Sequence, residues 1–205
     1  MCSVVWTQGC PLRCPWCHNP ELRPPDGGTD MGPSEVAGEI ERYADYLDAV
    51  IVSGGEPLAQ PIDELRELCR LIRRMDLSPV LDTSGYPAER LDRVADSFDR
   101  VALDLKAPLR DEAYLRATGD VMDAAELRRA VQAVRGRAEL ELRITAHPYL
   151  PDDCEPLIES VKEIDPDYVV VQRYVGKDGK ESGPDPNELA SVLEEEVAVT
   201  VFVRV

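Results

Sequence analysis

Three cysteines fall within eight residues near the start of the chain, in the run Gly9-Cys10-Pro11-Leu12-Arg13-Cys14-Pro15-Trp16-Cys17. The spacing is Cys-x3-Cys-x2-Cys. Thiolates placed this way on one short loop can each take one iron of a cubane [4Fe–4S] cluster. The fourth iron is then left without a protein ligand, and an open iron is a place for a substrate as well as a route for electrons. Pro11 and Pro15 stiffen the loop, and Gly9 permits an unusual turn in front of it. Two plainer readings stand beside this one. A structural zinc site needs four ligands, and His18 adjoins Cys17. However, neighbouring residues rarely close one tetrahedron, and zinc cysteines mostly come as two separated pairs. Three unrelated packing cysteines are the other alternative.

Further groups able to hold a polar ligand follow. Ser53-Gly54-Gly55-Glu56-Pro57 combines two glycines, which let a ligand approach the backbone, with a carboxylate able to accept from an ammonium. A glycine turn before a helix would look the same. Asp82-Thr83-Ser84-Gly85 and Asp104-Leu105-Lys106 each end an apolar run, and Arg143 lies inside another. Asp104 and Lys106, two apart in a strand, share one face. A carboxylate can hold hydroxyls or an ammonium, and a lysine can hold a carboxylate. Structural salt bridges are the plain alternative for each.

The cysteine loop, with the aromatic Trp16 before its last cysteine, resembles the signature of the radical S-adenosylmethionine (SAM) superfamily. Cys17-His18-Asn19-Pro20 is closer still to the glycyl-radical enzyme activases, including the activators of pyruvate formate-lyase and anaerobic ribonucleotide reductase. The resemblance covers roughly residues 3 to 174. It implies a [4Fe–4S] cluster on Cys10, Cys14 and Cys17, with SAM bound at the open iron. It also implies that Ser53, Gly54, Gly55, Glu56 and Pro57 form the glycine-rich motif that receives the SAM amino group. Trp16, Asp82, Ser84, Asp104, Lys106 and Arg143 then take SAM-binding roles. A contact from the sixth strand falls to Gln172, Arg173 or Tyr174; the histidine that some relatives carry there is absent. The partner implied is a glycyl-radical enzyme, with anaerobic ribonucleotide reductase preferred because the chain is short and carries no insertion. The electron donor implied is a flavodoxin or ferredoxin.

Short β-branched runs must position these groups. They begin at Val4, Ala49, Pro79, Val101, Leu140 and Tyr168, and a last run spans Val197 to Val205. Amphipathic stretches lie between them. Ser34 reads as an N-cap for Val36, Ile40, Tyr43 and Leu47 at helical spacing. Pro61 opens a helix with Leu65, Leu68, Cys69 and Ile72. Leu91 to Ala95, Leu127 to Val134 (ended by Gly136), Pro156 to Ile164 and Pro186 to Leu193 complete the set. Alternating strand and helix predicts an α/β fold with a parallel sheet and outer helices. Six repeats are too few for a closed barrel of about 250 residues. The expectation is a partial (β/α)6 TIM-like barrel, with a doubly wound sheet as the alternative. Either gathers chemistry at the C-terminal strand ends. Pro24 to Gly28 and Gly176 to Pro186 read as loops. His147 reads as a loop histidine and Cys69 as core; Cys2 and Cys154 have no assigned role.

The 205 residues suit one domain, residues 1–205. Hydrophobic residues make up 43 % and charged residues 31 %, as in folded globular chains rather than disordered ones. No apolar run approaches the roughly eighteen residues of a membrane span, and no signal peptide is visible, so the expected location is the cytoplasm. In that reducing compartment, clustered cysteines read as a metal site rather than disulfides. The net charge of −17 repels phosphate backbones and argues against a nucleic-acid partner. Two other readings compete: a radical SAM enzyme acting on a small molecule, peptide or modified nucleoside, and a non-enzymatic iron–sulfur or zinc module.

Overall fold

The computed structural model describes residues 1–151, 153–176 and 179–204. Val205 of the last apolar run and residues 177 and 178 of the loop after Gly176 lie outside the described residues. Seven strands form one sheet: β1 (Cys2–Thr7), β2 (Ala49–Gly54), β3 (Ser78–Thr83), β4 (Arg100–Asp104), β5 (Glu139–Ala146), β6 (Tyr168–Arg173) and β7 (Thr200–Arg204). Their spatial order equals their chain order, and every pairing is parallel. A doubly wound sheet reverses its strand order part-way. This one does not, so it is an arc of a TIM-like barrel. Among the described residues β1 pairs only with β2 and β7 only with β6, so the arc is open. Six βα units were expected; they are present, and β7 extends them by a strand.

The helices are α1 (Pro33–Glu41), α2 (Ile62–Arg74), α3 (Ala88–Asp92), α4 (Asp111–Thr118), α5 (Ala124–Val134), α6 (Glu155–Ile164) and α7 (Pro186–Glu196). Ser34 does not cap α1. Gly32 holds that position, and Glu35 reaches back to accept from its backbone N–H at 2.8 Å. The Glu35 side chain thereby satisfies a donor that Ser34, already inside the helix, cannot. α1 also ends before Tyr43 and Leu47, leaving Tyr43 exposed. α4 was not anticipated; it is eight residues long and presents only Tyr114, Ala117 and Thr118 to the interior.

Strand alternation divides the sheet into two chemically different faces. Val50, Val52, Leu81, Val101, Leu103, Leu142, Ile144, Val169 and Val171 point toward the helices and are fully buried. Leu68 and Ile72 of α2, Leu127 and Val131 of α5, and Val161 of α6 complete this core. Each such side chain stabilises the fold by about 1.5–3 kcal/mol. The alternate residues, Asp82, Asp104, Glu141, Arg143 and Gln172 among them, fall on the other face. One face therefore holds the arc together, and the other carries its charges.

Candidate active site

The cysteine loop leaves β1 at Gln8 and is pinned from three sides. Gly9 adopts φ +94° and donates to Leu22 O at 2.8 Å, while Cys10 N donates to Arg23 O at 3.0 Å. Arg13 N donates to Thr118 O at 2.9 Å, tying the loop to the end of α4. The Arg13 guanidinium donates to the carbonyls of Cys10 and Leu12, both at 2.8 Å, and the Arg23 guanidinium donates to Cys14 O. These bonds hold the loop's carbonyls, and Leu12 anchors it in the core at 2 % exposure.

The end of β2 meets this loop edge-on. Gly55 N donates to Thr7 O at 2.9 Å, and Glu56 N donates to Gly9 O at 2.8 Å. A Cβ on Gly55 would run into the carbonyl oxygens of Gly9 and Leu22, and one on Gly54 into the Thr7 backbone. The two glycines are thus required by the loop's close approach. Glu56 lies at this junction with its carboxylate already hydrogen-bonded by the protein. It is 1 % exposed and accepts from Leu58 N, Thr83 Oγ1, and Ser84 N and Oγ. Burial raises its pKa against the pull of those hydrogen bonds. Its carboxyl joins the ends of β2 and β3. Pro57 follows it, buried at the head of a short turn.

The strands beyond supply a charged wall. Asp82 accepts from Ser53 Oγ at 3.0 Å and from the Arg143 guanidinium at 2.6 Å; Arg143 also meets Glu141 at 2.8 Å. Burial opposes charge on Arg143, yet Asp82, Asp104 and Glu141 around it raise its pKa, so it stays a cation. Lys106 Nζ lies 2.8 Å from Asp104 Oδ2; burial opposes its charge too, but Asp104 first, with Cys14 and Tyr114, raises its pKa above the ordinary value. Tyr114 of α4 braces this corner, donating through its hydroxyl to Asp104 O at 3.1 Å and accepting from Lys106 N at 3.3 Å.

Opposite, Trp16 stacks on His147, with ring centroids 3.5 Å apart. His147 is a loop histidine as expected, but a buried one at 1 % exposure. Burial lowers its pKa to about 4, so the ring is neutral. Tyr149 N donates to Nδ1, which leaves Nε2 to donate to Lys106 O at 3.2 Å. Cys69 is core, at 1 % exposure.

These elements enclose a cavity of about 310 Å³ at the C-terminal strand ends. Cys10, Cys14, Cys17, Trp16, Ser53, Gly54, Gly55, Glu56, Asp82, Ser84, Asp104, Lys106 and Arg143 all line it; Pro57 alone of the expected set does not. Of the three residues open on the sixth strand, Gln172 faces the cavity and donates to Thr145 Oγ1 at 2.8 Å. Arg173 pairs with Glu181, and Tyr174 stacks on His18 at 4.9 Å. Trp6, Asn19, Arg23, Thr145 and Arg204 also line the cavity and were not foreseen. Strand register could have found three of them: Trp6 stands level with Ser53, and Thr145 and Arg204 both stand level with Gln172.

The donor set fits a cluster better than a single ion. Among the described residues, no three His, Cys, Asp or Glu side chains gather closely enough to hold one metal ion. Zinc would require four ligands about one centre, and the His18 ring is turned onto Tyr174. A cubane takes each thiolate on a different iron. Burial pushes the Cys10 thiol up to about 11 and raises Cys14 as well, so loading must displace their protons.

A family model for the radical SAM superfamily matches residues 4–171. The chain belongs to the radical SAM superfamily. Its family's cofactors are a [4Fe–4S] cluster and SAM. The pyruvate formate-lyase-activating enzyme of Clostridium pasteurianum is 34 % identical over 121 residues, covering 57 % of this chain and 50 % of that protein. A Methanocaldococcus jannaschii protein, provisionally named a glycyl-radical enzyme activating enzyme, is 26 % identical over 185 residues, 86 % of this chain and 74 % of its own length. This radical SAM chain thus spans about half the length of the first of these curated relatives. In fold it matches SuiB of Streptococcus suis bound to S-adenosylmethionine, with a TM-score of 0.78 at 13 % identity, over 100 % of this chain and 50 % of that one. Among the described residues, no helix is long and apolar enough to cross a membrane.

Proposed function

We propose that this chain cleaves SAM reductively at a [4Fe–4S] cluster and installs a glycyl radical on a partner enzyme. The observation that carries the reading is one cavity lined by three cysteines on a pinned loop, a glycine-opened strand end and a charged wall. The chemistry supplied by the bound cluster and SAM is one-electron scission of a carbon–sulfur bond, with methionine and a 5′-deoxyadenosyl radical as products.

Cys10, Cys14 and Cys17 would hold three irons and leave the fourth open. The backbone of Ser53 to Gly55, drawn against the cysteine loop, offers polar groups to an amino-acid ammonium. Lys106, fixed in its charged form, would face a carboxylate. Asp82 and Asp104 would accept from hydroxyls, with Arg143 holding Asp82 in place. Glu56, at the cavity wall, ties the strand ends together and would complete the group that receives the ammonium. Trp16, Ser84 and Gln172 complete the walls. No general acid or base is needed for the scission, which agrees with only two histidines in the chain.

The relatives' names support a glycyl-radical enzyme as partner. Anaerobic ribonucleotide reductase and pyruvate formate-lyase are the two to test, with a flavodoxin or ferredoxin as donor. The decisive assay is anaerobic: reconstitute with iron and sulfide, reduce, add SAM and measure 5′-deoxyadenosine, with Cys14→Ala as control. Product that vanishes in the variant supports the reading, and a glycyl radical signal on either partner then identifies the substrate. A protein that binds iron but forms no 5′-deoxyadenosine would sink it.

A further inference from the structure

We propose that the free edge of β1 and the groove beside it dock an extended basic polypeptide segment, which adds to the sheet as a further strand. Among the described residues β1 bonds to β2 alone, so the peptide groups along its other side lack a strand partner there. Six residues of such edge present about 20 Å of donors and acceptors. Sheets usually guard an edge of this kind with lysine, proline or a bulge. The strand Cys-Ser-Val-Val-Trp-Thr carries no lysine or proline, and leaves Val4 39 % and Trp6 57 % exposed.

A groove of about 810 Å³ runs beside this edge, between β1 and α1. Core side chains such as Val52 and Leu68 form its floor. Its charged lining is of one sign: Asp26, Asp30, Glu39 and Glu64, with no lysine or arginine. Two exposed aromatic rings, Trp6 and Tyr43, also line it. Main-chain pairing supplies affinity in strand addition, and side-chain pockets supply specificity. Here the carboxylates select lysine or arginine side chains, and the rings receive them through cation–π contact. A second copy of the chain is disfavoured, since it would bring the same carboxylates and another −17 charges to the edge.

Trp6 lines both this groove and the cysteine cavity. A strand seated on β1 therefore leads to the cavity mouth. Naming the segment as part of the protein that receives the radical rests on the function proposed above; the docking chemistry does not.

The test is peptide binding to the full apoprotein, read by fluorescence anisotropy. The probe is a tagged Arg-Val-Arg-Val-Arg-Val peptide, compared with its Glu-Val counterpart and a fully N-methylated form. The basic peptide binds; the acidic and methylated forms bind at least about tenfold more weakly. The double variant Asp30→Lys, Glu64→Lys also loses about tenfold, with unchanged circular dichroism and unchanged 5′-deoxyadenosine formation. Equal binding of the methylated peptide, or an unaffected double variant, would overturn the proposal. So would a dimer in sedimentation that Val4→Lys dissociates, since the edge would then belong to a second copy. If no 5′-deoxyadenosine forms while the peptide still binds, the radical chemistry fails and the docking edge stands. The opposite pair of results removes the docking edge alone.

Discussion

Replacing Arg143 with methionine keeps most of the side-chain volume and removes a buried cation. Arg143 is 8 % exposed, Asp82 19 % and Glu141 4 %, so one guanidinium serves as counterion to two sequestered carboxylates. Removing one partner of a buried ion pair costs about 3–5 kcal/mol. Asp82 would keep its bond from Ser53, and Glu141 would keep the Tyr168 hydroxyl at 2.9 Å and Arg100 at 3.5 Å. The expected loss is therefore at the lower end, about 3 kcal/mol at pH 7. With a urea slope of about 2 kcal/mol/M, the unfolding midpoint of the apoprotein falls by about 1.5 M. The penalty must also depend on pH. Burial pushes the Glu141 pKa up, but Arg143, Tyr168 and Arg100 bring it below the ordinary value. Its stabilisation is complete above the unfolded carboxylate range, about pH 4.3, and fades as pH falls through the lower folded value. The variant lacks most of that stabilisation, so the two proteins converge as the solution is acidified. A midpoint shift below about 0.5 M at pH 7, or one that fails to shrink as the pH is taken below about 4.3 and through the lower folded value, would refute the shared-counterion account.

The glycines of the strand end and of the surface should behave differently. Gly136→Ala places a side chain at φ +73° with nothing within 4 Å, and costs about 1–2 kcal/mol with iron loading intact. Gly55→Ala displaces the cysteine loop and lowers iron per chain as well as thermal stability. Cys69→Val keeps the visible absorbance of the reconstituted protein, whereas Cys14→Ala loses it, as iron and sulfide analysis will show. Added salt screens the −17 charge and should raise the thermal midpoint of the apoprotein by several degrees between about 0.05 and 1 M; a flat or falling midpoint would show that self-repulsion is not limiting.

The strands were legible because each is a short apolar run with its chemistry at the end. The cysteine loop, Ser53 to Glu56 and Asp104 to Lys106 were legible because each is contiguous. What the sequence concealed depends on distant partners. The buttress under Lys106 comes from Tyr114, on a helix too short to announce itself by periodicity. The ring that covers Trp16 belongs to His147, separated from it by most of the sheet. The type of Glu56 suits a polar ligand, but that Thr83 and Ser84 donate to it could be seen only in the fold. The N-cap at Gly32 was missed because the capping is done by Glu35 three residues on.

The pinning of the cysteine loop carries a consequence for the order of events at the ribosome. The three thiols are synthesised before most of their supports: Gly55 follows β2, Thr118 ends α4, and His147 follows β5. At about 5–20 residues per second, roughly 6 to 26 seconds separate Cys17 from His147. Through that interval only part of the cradle exists: the partners at Leu22 and Arg23 come early, those at Thr118 and His147 late. The cysteine loop therefore reaches its last support only when β5 is complete.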